Sequence, residues 1–183
     1  MDRRAFLQQT LALAGTAAFS AAGASASRSD PAFCFCVLAD PHCSDESKKG
    51  LEALGSGLDR FFLCIDSMKA LPEADRPAFV LVAGDIHIQA LAPHLDRVGI
   101  PLKVTPGNHE ADRETRDLLH TLFPGSFRVD GKPADYYSFV HQGVRFISVC
   151  DAGKGGEHIG QMCSEIITPS GQCEWLEKEL ALS

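Results

Sequence analysis

Between residues 33 and 110, three short apolar runs each stop at a polar cluster. Residues 33–39 (FCFCVLA) end at Asp40-Pro41-His42, and residues 78–83 (AFVLVA) end at Gly84-Asp85-Ile86-His87. Residues 101–105 end at Pro106-Gly107-Asn108-His109-Glu110. The first two runs, without polar alternation, predict strands buried on both faces, and the third predicts a third strand. Between the first two, Leu58, Phe61, Phe62, Ile65 and Met68 recur at helical spacing. They predict an amphipathic helix that begins at Leu51 or Leu58 and ends at Ala70, before Leu71-Pro72. Residues 90–98 read as a short helix and residues 111–122 as a charged one, broken by Phe123-Pro124-Gly125.

The later pattern is different. Residues 136–140 and 144–150 flank His141-Gln142-Gly143, as in an antiparallel hairpin with His141 expected as a surface residue of the turn. Gly-rich sequence follows from 153 to 160. Residues 172–180 form a last amphipathic helix with Trp175, Leu176 and Leu180 on one face. Strands alternating with helices predict an α/β fold with a parallel βαβαβ core, and the hairpin adds the expectation of a mixed sheet.

The first 26 residues stand outside this pattern. Asp2-Arg3-Arg4 opens a twin-arginine segment, residues 11–22 are apolar and small, and Ala24-Ser25-Ala26 offers a small-x-small cleavage site. A signal peptide over 1–26, a linker over 27–32 and a domain over 33–183 are the expected organisation. Export to the periplasm or beyond by the twin-arginine route follows, with no membrane span left after cleavage.

The 183 residues carry a net charge of −7, and the apolar share, 45%, is enough for one core. The acidic balance excludes a nucleic-acid surface built on basic residues. All seven cysteines follow the leader, without a CxxC zinc spacing. Cys34, Cys36 and Cys150, inside strand-like runs, are expected to be small buried hydrophobes. Cys43, Cys163 and Cys173 have loop-like or helix-start settings, and an oxidising compartment allows a Cys163–Cys173 disulfide.

Chemistry concentrates at the three strand ends. Parallel strands aim their C-terminal ends the same way, so Asp40 and His42, then Asp85, then Asn108 and His109 become neighbours at one edge. Singly, each has a structural alternative: a turn Asp, a helix cap at Asp85, a turn Asn. His87 is expected to pack or face solvent, and His94 and His120 to be plain helix-surface residues. The set offers carboxylate, imidazole and amide oxygen without thiolate, which suits Mn, Fe, Zn or Mg. Two cations held by Asp40 and Asp85 would supply the positive pocket that a phosphate needs in an acidic protein.

Asp-x-His, Gly-Asp and Gly-Asn-His-Glu, each after a strand, resemble the motifs of the calcineurin-like metallophosphoesterases. Tyr137-Ser138-Phe139 with Val144-Arg145-Phe146-Ile147, and Gln172 with Trp175-Leu176, look like that family's later hairpin and helix. The resemblance implies hydrolysis of phosphate esters in a small phosphorylated substrate. Two divalent or trivalent ions would act together, with a metal-bound hydroxide as nucleophile. It implies Asp40 and His42 on one metal, Asp85 bridging, Asn108 on the second, and His109 as the acid facing the phosphate. Glu110 would orient His109 or cap the next helix, Asp151 would stand behind the ligands, and His158 would line a substrate loop. The family's downstream ligands, an isolated His and a Gly-His-x-His, have no counterpart in this sequence. The implied sandwich is therefore expected to be incomplete at its C-terminal side and to expose apolar surface. The competing expectation is a non-catalytic remnant that binds a metal or phosphate weakly.

Overall fold

The computed structural model describes residues 33–152 and 171–182. The leader, the linker, the Gly-rich segment with His158, and Cys163 lie outside the described residues. Three strands form a parallel sheet in the order β1 (Cys36–Ala39), β2 (Val80–Ala83), β3 (Leu102–Thr105). The register is level, with Cys36 opposite Val80 and Val80 opposite Leu102. Ala39, Ala83 and Thr105 therefore end side by side, with β2 central. The chain is mixed α/β with a parallel three-stranded sheet and helices.

Helix α1 (Gly57–Lys69) fills the β1–β2 crossover. Ser56 starts it with a reciprocal cap: its hydroxyl accepts from the Asp59 amide, and the Asp59 carboxylate accepts from the Ser56 amide. Phe61, Phe62, Ile65 and Met68 are buried together with Val80, Val82 and Val104 of the sheet. Each such side chain contributes about 1.5–3 kcal/mol of burial. Helices α2 (Ile88–Leu91) and α3 (Leu95–Val98), joined by a 3-10 turn at Ala92–His94, make the second crossover. Pro93 in that turn interrupts the single helix expected over 90–98. Helix α4 (Arg113–Leu122) begins at Asp112, whose carboxylate accepts from the Thr115 amide.

A short ribbon, β4 (Arg128–Val129) with β5 (Lys132–Pro133), precedes the hairpin of β6 (Tyr137–His141) and β7 (Val144–Ser148). Gln142 and Gly143 both have positive φ, 46° and 80°, as a two-residue hairpin turn requires. The hairpin is a separate two-stranded sheet and does not extend β1–β3. It meets the parallel sheet through side chains. The Tyr137 hydroxyl donates to the Val104 carbonyl at 3.0 Å, the Thr105 and Ser148 hydroxyls are 2.7 Å apart, and Phe139 and Phe146 pack on Phe79. Helix α5 (Gln172–Leu180) buries Trp175 against Tyr136.

Several expectations need correction. β1 is an edge strand, not one buried on both faces: Val37 is 53% exposed and Cys34 is exposed too. An unbroken apolar run reports hydrophobicity, not what covers each face. Leu180 is exposed, and Cys43, in a loop as expected, is fully buried there. His141 ends β6 edge-on to Phe33 and Phe79 and is not a surface turn residue. Cys173 is disulfide-bonded. No helix among the described residues is long and apolar enough to cross a membrane.

Candidate metal centre

The site stands where the three strands stop. The first two loops have the same local form. Asp40, His42, Asp85 and His87 all have positive φ, between 44° and 55°. Asp and His tolerate this left-handed region better than most residues, yet each still costs roughly 1–3 kcal/mol. Backbone bonds tie the loops together: the His42 amide donates to Asp85 O, and the Cys43 amide to Ile86 O.

Two glycines permit the close approach. A Cβ on Gly107 would lie 2.0 Å from Asp85 Oδ1, and one on Gly57 would lie 1.8 Å from His42 O. Gly57 therefore lets the first turn of α1 press on the His42 loop, where the Leu58 amide donates to Ser44 O. Gly107 lets the third loop close over Asp85.

Asp85 comes off the central strand and lies at the centre of the group. Its Oδ1 accepts the His109 amide at 3.3 Å. Its Oδ2 is 3.8 Å from His42 Nε2 and 3.9 Å from His109 Nε2. The carboxylate does not cap α2, whose N-cap is His87, without a side-chain bond. Asp40, Asp85, Asn108 and Asp151 line one cleft of about 520 Å³, together with Thr105, Gly107 and Ser148. No lysine, arginine or histidine is among the described residues lining it.

His42, His87 and His109 cluster beside Asp85, outside the lining of that cleft. One ring nitrogen from each lies within 4.8 Å of the others, so the trio can hold a metal ion. His42 Nδ1 and His87 Nε2 are 3.1 Å apart and share a hydrogen bond. Burial, then the neighbouring His109 and His42, hold the His87 imidazole below its ordinary pKa. His87 is thus half-buried inside the cluster, rather than packed elsewhere or turned to solvent. A sequence signal for it exists: Asp85-Ile86-His87 repeats the spacing of Asp40-Pro41-His42.

Glu110 does neither of the things expected of it. Its carboxylate, 0% exposed, accepts the Gly107 amide through Oε2 and the His87 amide through Oε1, each at 2.9 Å. It closes its own 3-10 turn (Asn108–Glu110) and ties the third loop to the second. Behind it, the buried Arg116 donates to the Glu110 carbonyl and pairs with Asp135 at 3.0 Å. His120 pairs with the same Asp135 and is no plain surface residue. Gln172 fixes the far wall, exchanging two side-chain bonds of 2.7 and 2.8 Å with the backbone of Cys150 next to Asp151.

The donor set fits hard or borderline cations. Three carboxylates and one side-chain amide share the cleft, and the His42 and His109 imidazoles come within 3.8 and 3.9 Å of the Asp85 carboxylate. Neither the protein-family models nor the curated proteins include a match to the chain.

Proposed function

We propose that the chain is a metal-dependent phosphoesterase of the calcineurin-like kind, acting on phosphate esters of small molecules. One observation carries this reading: in a level parallel sheet, Asp40, Asp85 and Asn108 leave adjacent strand ends and line one cleft. That cleft has three carboxylates, from Asp40, Asp85 and Asp151, and no described cationic side chain. As it stands it repels a phosphate, and cations held by those oxygens reverse the sign. Asp40 and His42 would hold one ion, Asp85 would touch both, and Asn108 would hold the second. Mn, Fe, Zn or Mg suits these donors. When bound, such ions polarise phosphoryl oxygens and activate water for in-line attack.

The remaining roles belong to the chain. Asp85, held by the His109 amide and by close contact with Gly107, presents Oδ2 between two imidazoles. His109, the more exposed of these, can deliver a proton from Nε2 to the departing oxygen. Glu110 holds the loops of His87 and Gly107 at fixed separation, so the ligands are positioned before substrate arrives.

The test is hydrolysis of p-nitrophenyl phosphate and bis(p-nitrophenyl) phosphate with added Mn²⁺. Wild type should turn over at least one of them, and Asp85→Asn should abolish that turnover. Full activity in Asp85→Asn would refute the assignment.

A further inference from the structure

We propose that His87 is a positioning residue for His42. It accepts a hydrogen bond from His42 Nδ1–H and so fixes His42 as the tautomer whose Nε2 lone pair faces Asp85. The proposal rests on the reading above that His42 and Asp85 hold a cation.

A neutral imidazole has one N–H and one lone pair, and whichever nitrogen donates leaves the other free to ligate. His42 uses its two nitrogens in different directions. Nδ1 is 3.1 Å from His87 Nε2, and Nε2 is 3.8 Å from Asp85 Oδ2. A bond from Nδ1–H to His87 therefore assigns the lone pair to the side where the carboxylate stands. Metal-ligating histidines commonly have such a partner on the second nitrogen, usually a carboxylate or carbonyl. Here the described partner is a second imidazole.

His87 is built to hold that place. Its neighbours Ile86 and Ile88 are both fully buried, so the backbone is pegged to the core on either side. Its amide is bound by Glu110 Oε1, and its left-handed conformation (φ 55°) turns the side chain out of the helix that starts there. The two rings meet edge-on, with centroids 5.1 Å apart. His87 thus links Glu110, which secures the third loop, to His42 on the first.

Long-range proton–nitrogen correlation spectra of the histidine-labelled full chain at pH 8, with and without Zn²⁺, test the proposal. Wild type should show His42 as the Nδ1–H tautomer, and Zn²⁺ should shift His42 Nε2 while leaving the His87 nitrogens unligated. His87→Leu should mix the His42 tautomers and weaken Zn²⁺ binding about 10- to 100-fold. His87→Gln, whose amide oxygen can accept the same bond, should restore the tautomer and most of the affinity. An Nε2–H tautomer in wild type, or an unchanged His42 in His87→Leu, would overturn the proposal. So would Zn²⁺ bound directly to His87 in a three-imidazole site. If Zn²⁺ moves no histidine, the metal reading of the site fails, and with it the ligand half of this proposal. The metal-free tautomers then still decide whether the hydrogen bond exists.

Discussion

At the start of the parallel sheet, Phe35 and Phe79 stack 5.4 Å apart, and Phe79 also meets Phe33, Phe139, His141 and Phe146. At the finish of the same strands stand Asp40, Asp85 and Asn108, the first two on loops with left-handed backbone and the third beside Gly107, whose contact with Asp85 no side chain could share. One end gains stability by burying rings. The other carries conformational strain and places carboxylates side by side, both of which lower stability. The strands are only four residues long, so the two ends are close, and the aromatic end can support the strained one. If this division is correct, substitutions at the polar end should move function far more than stability, and those at the aromatic end the reverse.

The sharpest separation is expected from Asp85→Asn. Hydrolysis should fall by about 10⁴-fold, equivalent to roughly 5 kcal/mol, with the thermal midpoint little changed in a melting scan. Phe79→Ala should do the opposite. Loss of a fully packed ring costs about 3–5 kcal/mol, read by urea unfolding, while metal affinity of the folded fraction stays at the wild-type value. Gly107→Ala comes next. Its Cβ would press on Asp85 Oδ1, so metal affinity measured by calorimetric titration should drop about 10- to 100-fold, with a smaller loss of stability.

Tyr137 sits where the hairpin meets β3 and gives a smaller, pH-dependent test. Burial pushes its hydroxyl up to about 12 from the ordinary 10. The unfolded chain releases this proton first, so stability is intact below pH 10 and falls as pH rises towards 12. Tyr137→Phe should remove that part of the alkaline loss at a cost of about 1 kcal/mol near neutrality, measured by unfolding at several pH values. The smallest effect is chemical: a thiol reagent should label exposed Cys34 in the native protein and reach Cys43 only on unfolding. Burial and the nearby Glu110 push the Cys43 thiol up to about 12, which reinforces its protection.

The polar end was largely legible from the residues, because Pro and Gly mark where each strand stops and ligand-type side chains follow at once. Asp40, Asp85 and Asn108 do share a cleft, and Asp151 lines it. His87 was less legible because it falls outside the ligand motifs, although Asp85-Ile86-His87 repeats the spacing of Asp40-Pro41-His42. The role of Glu110 was hidden for a different reason: its partners, the amides of Gly107 and His87, belong to backbone that only folding brings together. At the aromatic end, hydrophobicity announced strands but not their neighbours. Val37 and Phe79 look alike in sequence, yet one is exposed and the other touches five rings. The hairpin was legible as a hairpin, but not that it meets the parallel sheet through side-chain contacts such as Tyr137 to Val104 rather than as added strands.

Metal content measured together with turnover tests the division most directly. The purified full chain should bind two equivalents of a divalent ion such as Mn²⁺, lose ester hydrolysis on chelation and recover it when the ion is restored. Hydrolysis that survives complete chelation, or a chain that binds no metal and turns over no phosphate ester, would contradict it.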